Sequence, residues 1–313
     1  MNQPSAAQGP DLRVSFAGIQ LKNPVIAASG TFGYGLEFED VLHLDKLGGF
    51  VVKGLSKEPM VGNPPPRLYE TPAGMLNAIG LQNIGVRAFL EEKLPKLRRL
   101  KNVVVFANVF GYTREDYEHV IRALNEGEGI AAYELNVSCP NTALGGIQFG
   151  IEPRMLDEVV GTAKRVSQRP LIVKLSPNVT SIPLMAKVAE NAGADALSVA
   201  NTFVAMAIDP ETRKPRIPNV TAGLSGPAIK PIALRMVFEA AKAVKIPVIG
   251  VGGISTAADV IEFMLAGATA IQVGTASYWD PRATEKIVDD LTEWCVEHQI
   301  ERLAELTGGL VIE

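Results

Sequence analysis

The sequence has little of what several protein classes require. It has two cysteines in 313 residues, too few for a disulfide scaffold. Aromatic residues make up 6% of the chain and the net charge is −4, a balance that argues against a nucleic-acid-binding protein. No apolar run reaches the length of ~18 residues that a membrane span needs, and the polar start of the chain does not resemble a secretory signal. We therefore expect a cytoplasmic globular protein with no nucleic-acid or membrane partner.

What the sequence does have is a series of short apolar segments, most of them followed by a segment with helical periodicity. Continuously apolar segments are typical of parallel strands that are buried on both faces. The predicted strands are Pro24–Ala28, Phe50–Lys53, Val103–Asn108, Tyr133–Val137, Leu171–Leu175, Ala196–Ala200, Val248–Val251 and Ala270–Val273. The predicted helices are Tyr117–Leu124, Met155–Val166, Ile182–Asn191, Ile229–Val244, Ala257–Leu265 and Ala283–Glu297. This alternation predicts an α/β fold, a (β/α)8 TIM barrel, with a doubly wound open sheet as the alternative.

Two connections are longer than usual for such a barrel. One runs from residue 54 to about residue 82 and contains the proline-rich piece Gly62–Arg67; the other runs from residue 200 to 226. Both begin where a predicted strand ends, so we predict insertions at the C-terminal face of the strands that contribute to a functional site. We expect residues 1–10 to be a flexible tail and residues 11–313 to form a single domain. A capping box at Thr256 and Asp259 predicts the start of one helix, and Gly267 predicts its end.

Polar residues cluster where the predicted strands end, and in a barrel these positions meet at one mouth. Asparagine and lysine dominate there and acids are scarce, which favours an anionic ligand with ring N–H and C=O groups. Lys53 and Lys174 lie within or just after apolar strands, so each is expected to have an anionic partner. His43, His119 and His298 lie away from these ends, and no pattern indicates a metal site.

Glycines follow the last two predicted strands, as Gly252-Gly253 and as Gly274-Thr275. Backbone N–H groups in these loops often bind phosphate, which predicts a phosphorylated cofactor or substrate. Gly226 is a further candidate contact. Cys139 follows a strand end and is a candidate thiol base. Cys295 lies at helical spacing with Ile287 and Leu291, which predicts a packing role.

Several longer motifs resemble the dihydroorotate dehydrogenase family. They are Ala28–Gly30 (ASG), Asn77–Leu81 (NAIGL), Asn136–Thr142 (NVSCPNT), Val173–Asn178 (VKLSPN), Gly223–Pro231 (GLSGPAIKP), Gly250–Ile254 (GVGGI) and Val273–Ala276 (VGTA). The family consists of FMN-dependent (β/α)8 barrels that oxidise dihydroorotate to orotate in pyrimidine biosynthesis. The resemblance implies that Cys139 takes the C5 proton of dihydroorotate while the C6 hydride passes to FMN N5.

The resemblance also implies the residues that hold the two ligands. Substrate contacts fall on Lys53, Asn77, Ala78, Ile79, Gly80, Leu81, Asn136, Asn141, Asn201 and Thr202. Flavin contacts fall on Ser29, Lys53, Gly54, Asn108, Asn136, Lys174, Ala200, Gly226, Gly252, Gly253, Gly274 and Thr275. No residue is implied to bind a metal. Ala200 departs from the larger apolar residue that relatives often carry, but a backbone contact there would be unaffected.

Cys139 resembles the base of class 1 members, since class 2 members use serine and carry a membrane-associating extension. Within class 1, Asn141–Gly150 (NTALGGIQFG) resembles the B subtype, which passes electrons to NAD through an iron–sulfur flavoprotein subunit. FAD and a 2Fe-2S cluster are then expected on that partner, and a homodimer of this chain within a heterotetramer. The alternatives are the fumarate-linked A subtype, a flavin barrel like that of dihydropyrimidine dehydrogenase, and a non-catalytic phosphate-binding barrel.

Overall fold

The computed structural model describes residues 9–138 and 149–312. This part of the chain contains sixteen strands. In chain order they are β1 (Val14–Phe16), β2 (Ile19–Leu21), β3 (Val25–Ala27), β4 (Gly49–Val51), β5 (Leu68–Thr71), β6 (Gly74–Asn77), β7 (Val104–Val109), β8 (Ala132–Asn136), β9 (Leu171–Lys174), β10 (Ala196–Val199), β11 (Phe203–Ala205), β12 (Ile208–Asp209), β13 (Lys214–Pro215), β14 (Ala222–Ser225), β15 (Val248–Val251) and β16 (Ala268–Val273).

The α-helices lie mainly between the later strands. They are α1 (Gly85–Ala88), α2 (Leu94–Leu97), α3 (Arg114–Asn125), α4 (Pro153–Val166), α5 (Ile182–Asn191), α6 (Lys230–Ala243), α7 (Ala257–Leu265), α8 (Ala276–Trp279) and α9 (Ala283–Glu297). A π-helical turn, Phe89–Lys93, joins α1 to α2. No helix in the described ranges is long and apolar enough to cross a membrane.

Eight of the strands close into a parallel barrel in the order β3-β4-β7-β8-β9-β10-β15-β16. The neighbours pair in parallel all the way round, and β16 pairs with β3 to complete the circle. The TIM barrel predicted from the sequence is therefore confirmed, and the open doubly wound sheet is wrong. All eight predicted strands are present, each with boundaries within two residues of the prediction.

The capping-box helix begins and ends as predicted. The Thr256 hydroxyl accepts from the Asp259 backbone N–H at 3.2 Å, and the Asp259 carboxylate accepts from the Thr256 N–H at 2.9 Å. Gly267 follows the helix with a φ of +112°, where a residue with a side chain would be strained. Between β3 and β4, the 3₁₀ turns Leu36–Phe38 and Leu44–Lys46 take the place of an α-helix.

The two long connections form a sheet of their own, which the sequence did not predict. Strands β5 and β6 come from the first connection, and β11 and β14 come from the second. They make a four-stranded antiparallel sheet in which Leu76 of β6 pairs with Leu224 of β14. This pairing joins segments far apart in the chain, so local patterns of hydrophobicity carry no signal for it.

The apolar core fills the space between the barrel strands and the surrounding helices. The β1–β2 hairpin packs against it, and Phe16 of this hairpin stacks on Phe106 of β7 with ring centroids 6.1 Å apart. Both rings are buried. Phe106 precedes Asn108 by two residues in the same strand, so the hairpin packs on the N-terminal side of Asn108, away from the C-terminal mouth.

Candidate active site

Most of the predicted site residues lie at the C-terminal ends of the barrel strands. Because all eight strands are parallel, these ends surround one mouth. Ser29 follows β3, and Lys53 and Gly54 follow β4. Three residues lie within the last two positions of a strand: Asn108 in β7, Asn136 in β8 and Lys174 in β9. The others follow a strand directly: Ala200 after β10, Gly252 and Gly253 after β15, and Gly274 and Thr275 after β16. Their proposed ligands remain predictions.

A buried polar network lies inside the barrel just below this mouth. At its centre is Glu134 of β8, whose side chain is fully buried. One carboxylate oxygen, Oε1, accepts from Asn108 Nδ2 at 2.8 Å and lies 3.4 Å from Lys174 Nζ. The other oxygen, Oε2, accepts from the Ser198 hydroxyl at 2.9 Å and from the Gln272 side-chain amide. Glu134 is thus the anionic partner expected for Lys174.

The network leaves one donor and one acceptor unused among residues 9–138 and 149–312. Lys174 Nζ also donates to Gln272 Oε1 at 3.1 Å, which uses two of its three donors. The Asn108 Oδ1 atom is buried and has no hydrogen-bond partner in the described ranges. A buried acceptor is costly without a donor, so a ligand that presents an N–H group at this mouth would satisfy it.

Glycines let the backbone segments around the mouth pack closely against their neighbours. Gly54 sits beside the unpartnered acceptor, because a methyl group added there would lie 2.8 Å from Asn108 Oδ1. Gly226 and Gly253 have φ values of +96° and +72° and touch each other: a methyl group on Gly253 would lie 2.8 Å from the Gly226 carbonyl oxygen. The glycines after β14 and β15 therefore form one continuous surface, next to the loop that follows β16.

Lys53 is the second lysine of the mouth. Its backbone N–H donates to the Gly33 carbonyl at 2.7 Å, while the Ser29 hydroxyl donates to the carbonyl of Val52 at 2.9 Å. Burial and the nearby positive charge of Arg67 lower the pKa of Lys53. No carboxylate pairs with its ammonium group in the part of the chain that the structure describes. An anionic ligand would relieve this unfavourable environment.

The added four-stranded sheet brings together two predicted substrate residues. Asn77 ends β6, and its side-chain amide donates to the Gly223 carbonyl at 3.2 Å. A methyl group on Gly223 would lie 2.2 Å from Thr202 Oγ1, so the hydroxyl and the amide meet at this glycine. Asn201, the residue before Thr202, donates to Asn136 Oδ1 at 3.2 Å. Amide groups from both connections and from β8 therefore face one region.

Four further predicted substrate residues, Ala78 to Leu81, follow β6. The proline-rich piece holds this segment, because Asn63 donates through its side chain to the Ala78 carbonyl at 2.9 Å and through its backbone to the Ile79 carbonyl at 2.9 Å. Gly80 and Leu81 both have positive φ values, +73° and +57°. The segment thus forms a tight turn between the added sheet and the helix α1.

Cys139 and Asn141 lie outside the described residues, so their place at the mouth stays a prediction. The described chain reaches Ser138, whose buried hydroxyl has no partner within the described ranges. Cys295 is buried in α9, and burial raises the pKa of its thiol, which suits a packing role. Away from the mouth, His43 contacts Glu285 at 2.7 Å, His298 stacks on Trp294, and His119 is exposed on α3.

Sequence reasoning missed four polar residues of the mouth: Glu134, Arg67, Ser198 and Gln272. Three of them, Glu134, Ser198 and Gln272, lie in apolar barrel strands. A polar side chain within such a strand is the sequence signal that could have identified them. Arg67 is held by Gln82 Oε1 at 2.6 Å and by the Asn63 carbonyl at 3.1 Å. No group of three or more histidine, cysteine or acidic side chains in the described ranges could hold a metal ion.

Comparison with known proteins identifies the family of this chain. The family model for dihydroorotate dehydrogenase matches residues 11–294. The chain belongs to the dihydroorotate dehydrogenase family. It is accordingly an oxidoreductase, as the resemblance of its motifs predicted.

Individual relatives cover almost the whole chain. A protein from Solibacter usitatus, provisionally named dihydroorotate dehydrogenase A (fumarate), is 60% identical over 96% of this chain and 99% of its own length. Proteins from Citrifermentans bemidjiense and Geobacter sp. are 55% and 54% identical over 97% of this chain and 99% of their own lengths. Both of these are named as catalytic subunits of dihydroorotate dehydrogenase B (NAD(+)). The family is therefore shared, while the named electron acceptors differ.

The environment of Lys53 predicts how orotate binding depends on pH. Because the pKa of Lys53 is lowered, its ammonium loses its charge below the ordinary lysine value of about 10.4. We expect the affinity of the flavin-loaded protein for orotate to fall as the pH rises from about 7 to 10. Lys53→Gln should weaken binding at neutral pH at least about tenfold and flatten the dependence, measured by calorimetric titration.

The matched control is Lys57→Gln, four residues further along the same connection, where the lysine is exposed. This variant should keep the wild-type affinity and the wild-type pH profile. A Lys53→Gln protein that retains the pH dependence would assign that dependence to another group.

Proposed function

We propose that this chain oxidises dihydroorotate to orotate with bound FMN, in pyrimidine biosynthesis. The observation that carries the proposal is the combination at one mouth of a cation and an unpartnered acceptor. Lys53 offers a half-buried positive charge that suits the substrate carboxylate. The amides of Asn77, Asn136 and Asn201 can match the donors and acceptors of a flat pyrimidine ring.

The residues present fit a flavin below this substrate region. Asn108 Oδ1 is an acceptor that needs a donor, and the isoalloxazine ring has an imide N–H. Lys174 retains one donor for a ring oxygen or nitrogen, and the surface made by Gly226 and Gly253 suits the phosphate. When bound, FMN would supply the acceptor for the pair of electrons that leaves the substrate. A lysine beside such a ring stabilises the negative charge that develops there.

The substrate loses a proton from C5 and a hydride from C6 in this reaction. We assign the proton to the thiolate of Cys139, which follows Ser138 at the C-terminal end of β8. The assignment rests on the sequence motif and on the position of that strand end in the mouth. Lys53 would hold the substrate carboxylate, and the asparagines would orient the ring so that C5 faces the thiol.

The central test is the identity of the cofactor and the response of the flavin to substrate. Purified protein should release FMN on heating, identified by chromatography, and not FAD. Anaerobic dihydroorotate should bleach the visible absorbance of the bound flavin, whereas dihydrouracil, the substrate expected of a dihydropyrimidine dehydrogenase-like barrel, should not. Well-folded protein without flavin would contradict the proposal, and bleaching by dihydrouracil alone would favour that alternative.

Replacement of the proposed base, Cys139, should slow the reduction of the flavin by dihydroorotate without loss of bound flavin. In Cys139→Ser the hydroxyl is a much weaker acid than a thiol, so its oxygen is a poor base at neutral pH. We expect flavin reduction by dihydroorotate in a stopped-flow experiment to slow by about 10²-fold or more, with flavin content and orotate affinity retained. Cys295→Ser changes the buried packing cysteine and should keep the wild-type rate. Equal rates in the two variants would remove Cys139 from the role.

For the electron acceptor we propose NAD, reached through an iron–sulfur flavoprotein partner. The names of several relatives at 52–55% identity support this, as does the resemblance of the segment after Asn141 to the B subtype. The chain has two cysteines, too few to ligate a 2Fe-2S cluster, so the cluster and FAD would belong to the partner. Fumarate is the competing acceptor, and it is favoured by the name of the 60% identical relative.

A reconstitution assay separates the two acceptors. The isolated chain should show negligible NADH formation with dihydroorotate and NAD, and adding the iron–sulfur flavoprotein subunit should restore it in an assembly that contains a homodimer of this chain. Efficient turnover of the isolated chain with fumarate would instead establish the A subtype and leave the dihydroorotate chemistry intact.

A further inference from the structure

The residue that the proposed function leaves unexplained is Glu134. It is fully buried, it is assigned to neither proposed ligand, and within the described ranges it is the one anion in contact with the polar network. Burying a carboxylate costs several kcal/mol unless donors compensate it, and an apolar side chain of similar size often serves stability equally well. A contribution to stability alone therefore does not explain why a carboxylate occupies this place.

The hydrogen bonds around Glu134 run in one fixed direction. Lys174 can only donate, so the Gln272 atom that it contacts at 3.1 Å must be the amide oxygen. The Gln272 NH₂ group then faces Glu134 and the Ser198 hydroxyl, and that hydroxyl donates its proton to Glu134. Every contact of the carboxylate is with a donor, which suits a group that only accepts.

The direction of these hydrogen bonds also determines which groups of Asn108 and Lys174 are left for a ligand at the mouth. Because Glu134 Oε1 accepts at 2.8 Å, the Asn108 side chain must turn its NH₂ group inward. Its oxygen is thereby turned away from the carboxylate, and it is this oxygen that lacks a partner in the described ranges. Lys174, drawn to the same Oε1 atom, stays beside it with one donor unused.

We propose that Glu134 is the positioning residue of the flavin site: its carboxylate orients the Asn108 amide and holds the Lys174 ammonium, so that an acceptor and a cation stand side by side at the barrel mouth. This inference rests on the proposed function, because it takes FMN as the ligand of that pair. Glu134 itself touches no reacting atom.

The isosteric variant Glu134→Gln tests the proposal, because no orientation of the new amide satisfies all its neighbours. If its NH₂ group replaces Oε1, it opposes two donors, the Asn108 amide and the Lys174 ammonium, and either Asn108 turns over or Lys174 moves away. If the NH₂ group replaces Oε2, it opposes the Gln272 amide, which turns over and presents its NH₂ group to Lys174. In both cases the disturbance reaches a ligand-facing group.

The measurement is the dissociation constant of FMN at neutral pH, by flavin fluorescence. The charged group facing Lys174 in the described ranges is Glu134; Asn108, Ser198 and Gln272 are neutral, and Lys53 and Arg67 are the other cations of the mouth. In Glu134→Gln we expect FMN to bind at least about tenfold more weakly than in the wild type.

A double variant separates positioning from simple structural support. In Glu134→Gln with Gln272→Glu, the carboxylate and the amide exchange places on either side of Lys174. The oxygen of the new amide at position 134 can accept from Asn108 and Lys174, while the carboxylate at position 272 accepts from Lys174, from Ser198 and from the new amide. All donors are again satisfied, so FMN affinity should return to within about threefold of wild type.

The matched control is Glu285→Gln, which replaces another buried carboxylate that pairs with His43 and Arg282 instead of mouth residues. It should keep the wild-type affinity for FMN. Wild-type behaviour of Glu134→Gln, or a double variant that folds and still fails to bind FMN, would overturn the positioning role. If Glu134→Gln does not fold, the double variant alone decides. Wild-type protein that binds no FMN would overturn the proposed function itself.

Discussion

A single buried carboxylate holds together the part of the barrel on which the chemistry depends. Glu134 of β8 receives hydrogen bonds or an ion pair from side chains of β7, β9, β10 and β16. These contacts form only when the barrel is closed in its observed register, since a slip of one residue would turn each side chain to the other face of the sheet. Closure of the barrel and organisation of its mouth are thus the same event.

The distribution of charge at the mouth follows from this arrangement. Lys174 pairs with Glu134, which lies below it in the barrel, whereas the like charge of Arg67 acts unfavourably on Lys53. Two lysines at one mouth therefore have different electrostatic environments. Lys174 has a counter-ion within the protein, whereas Lys53 requires an anion from a ligand.

Local signals in the sequence were sufficient for the barrel and for most of the mouth. Continuous apolar runs identified the eight strands, and the strand ends then identified Lys53, Asn108 and Lys174 as neighbours. The capping box at Thr256 was equally local. What the sequence could not predict was non-local. The pairing of β6 with β14 joins segments separated by more than a hundred residues, and the role of Glu134 depends on four strands that meet only in the folded barrel.

The added sheet has a consequence for how the substrate side of the mouth can vary. Asn77 and Thr202 come from insertions after different barrel strands, yet they meet across Gly223 because β6 and β14 share hydrogen bonds. Loops usually tolerate changes of length one at a time. Here an added or lost residue in either insertion would shift the register of a strand shared by both, and would displace the two side chains together. The two insertions are therefore constrained to change as one unit, and each one limits the evolution of the other.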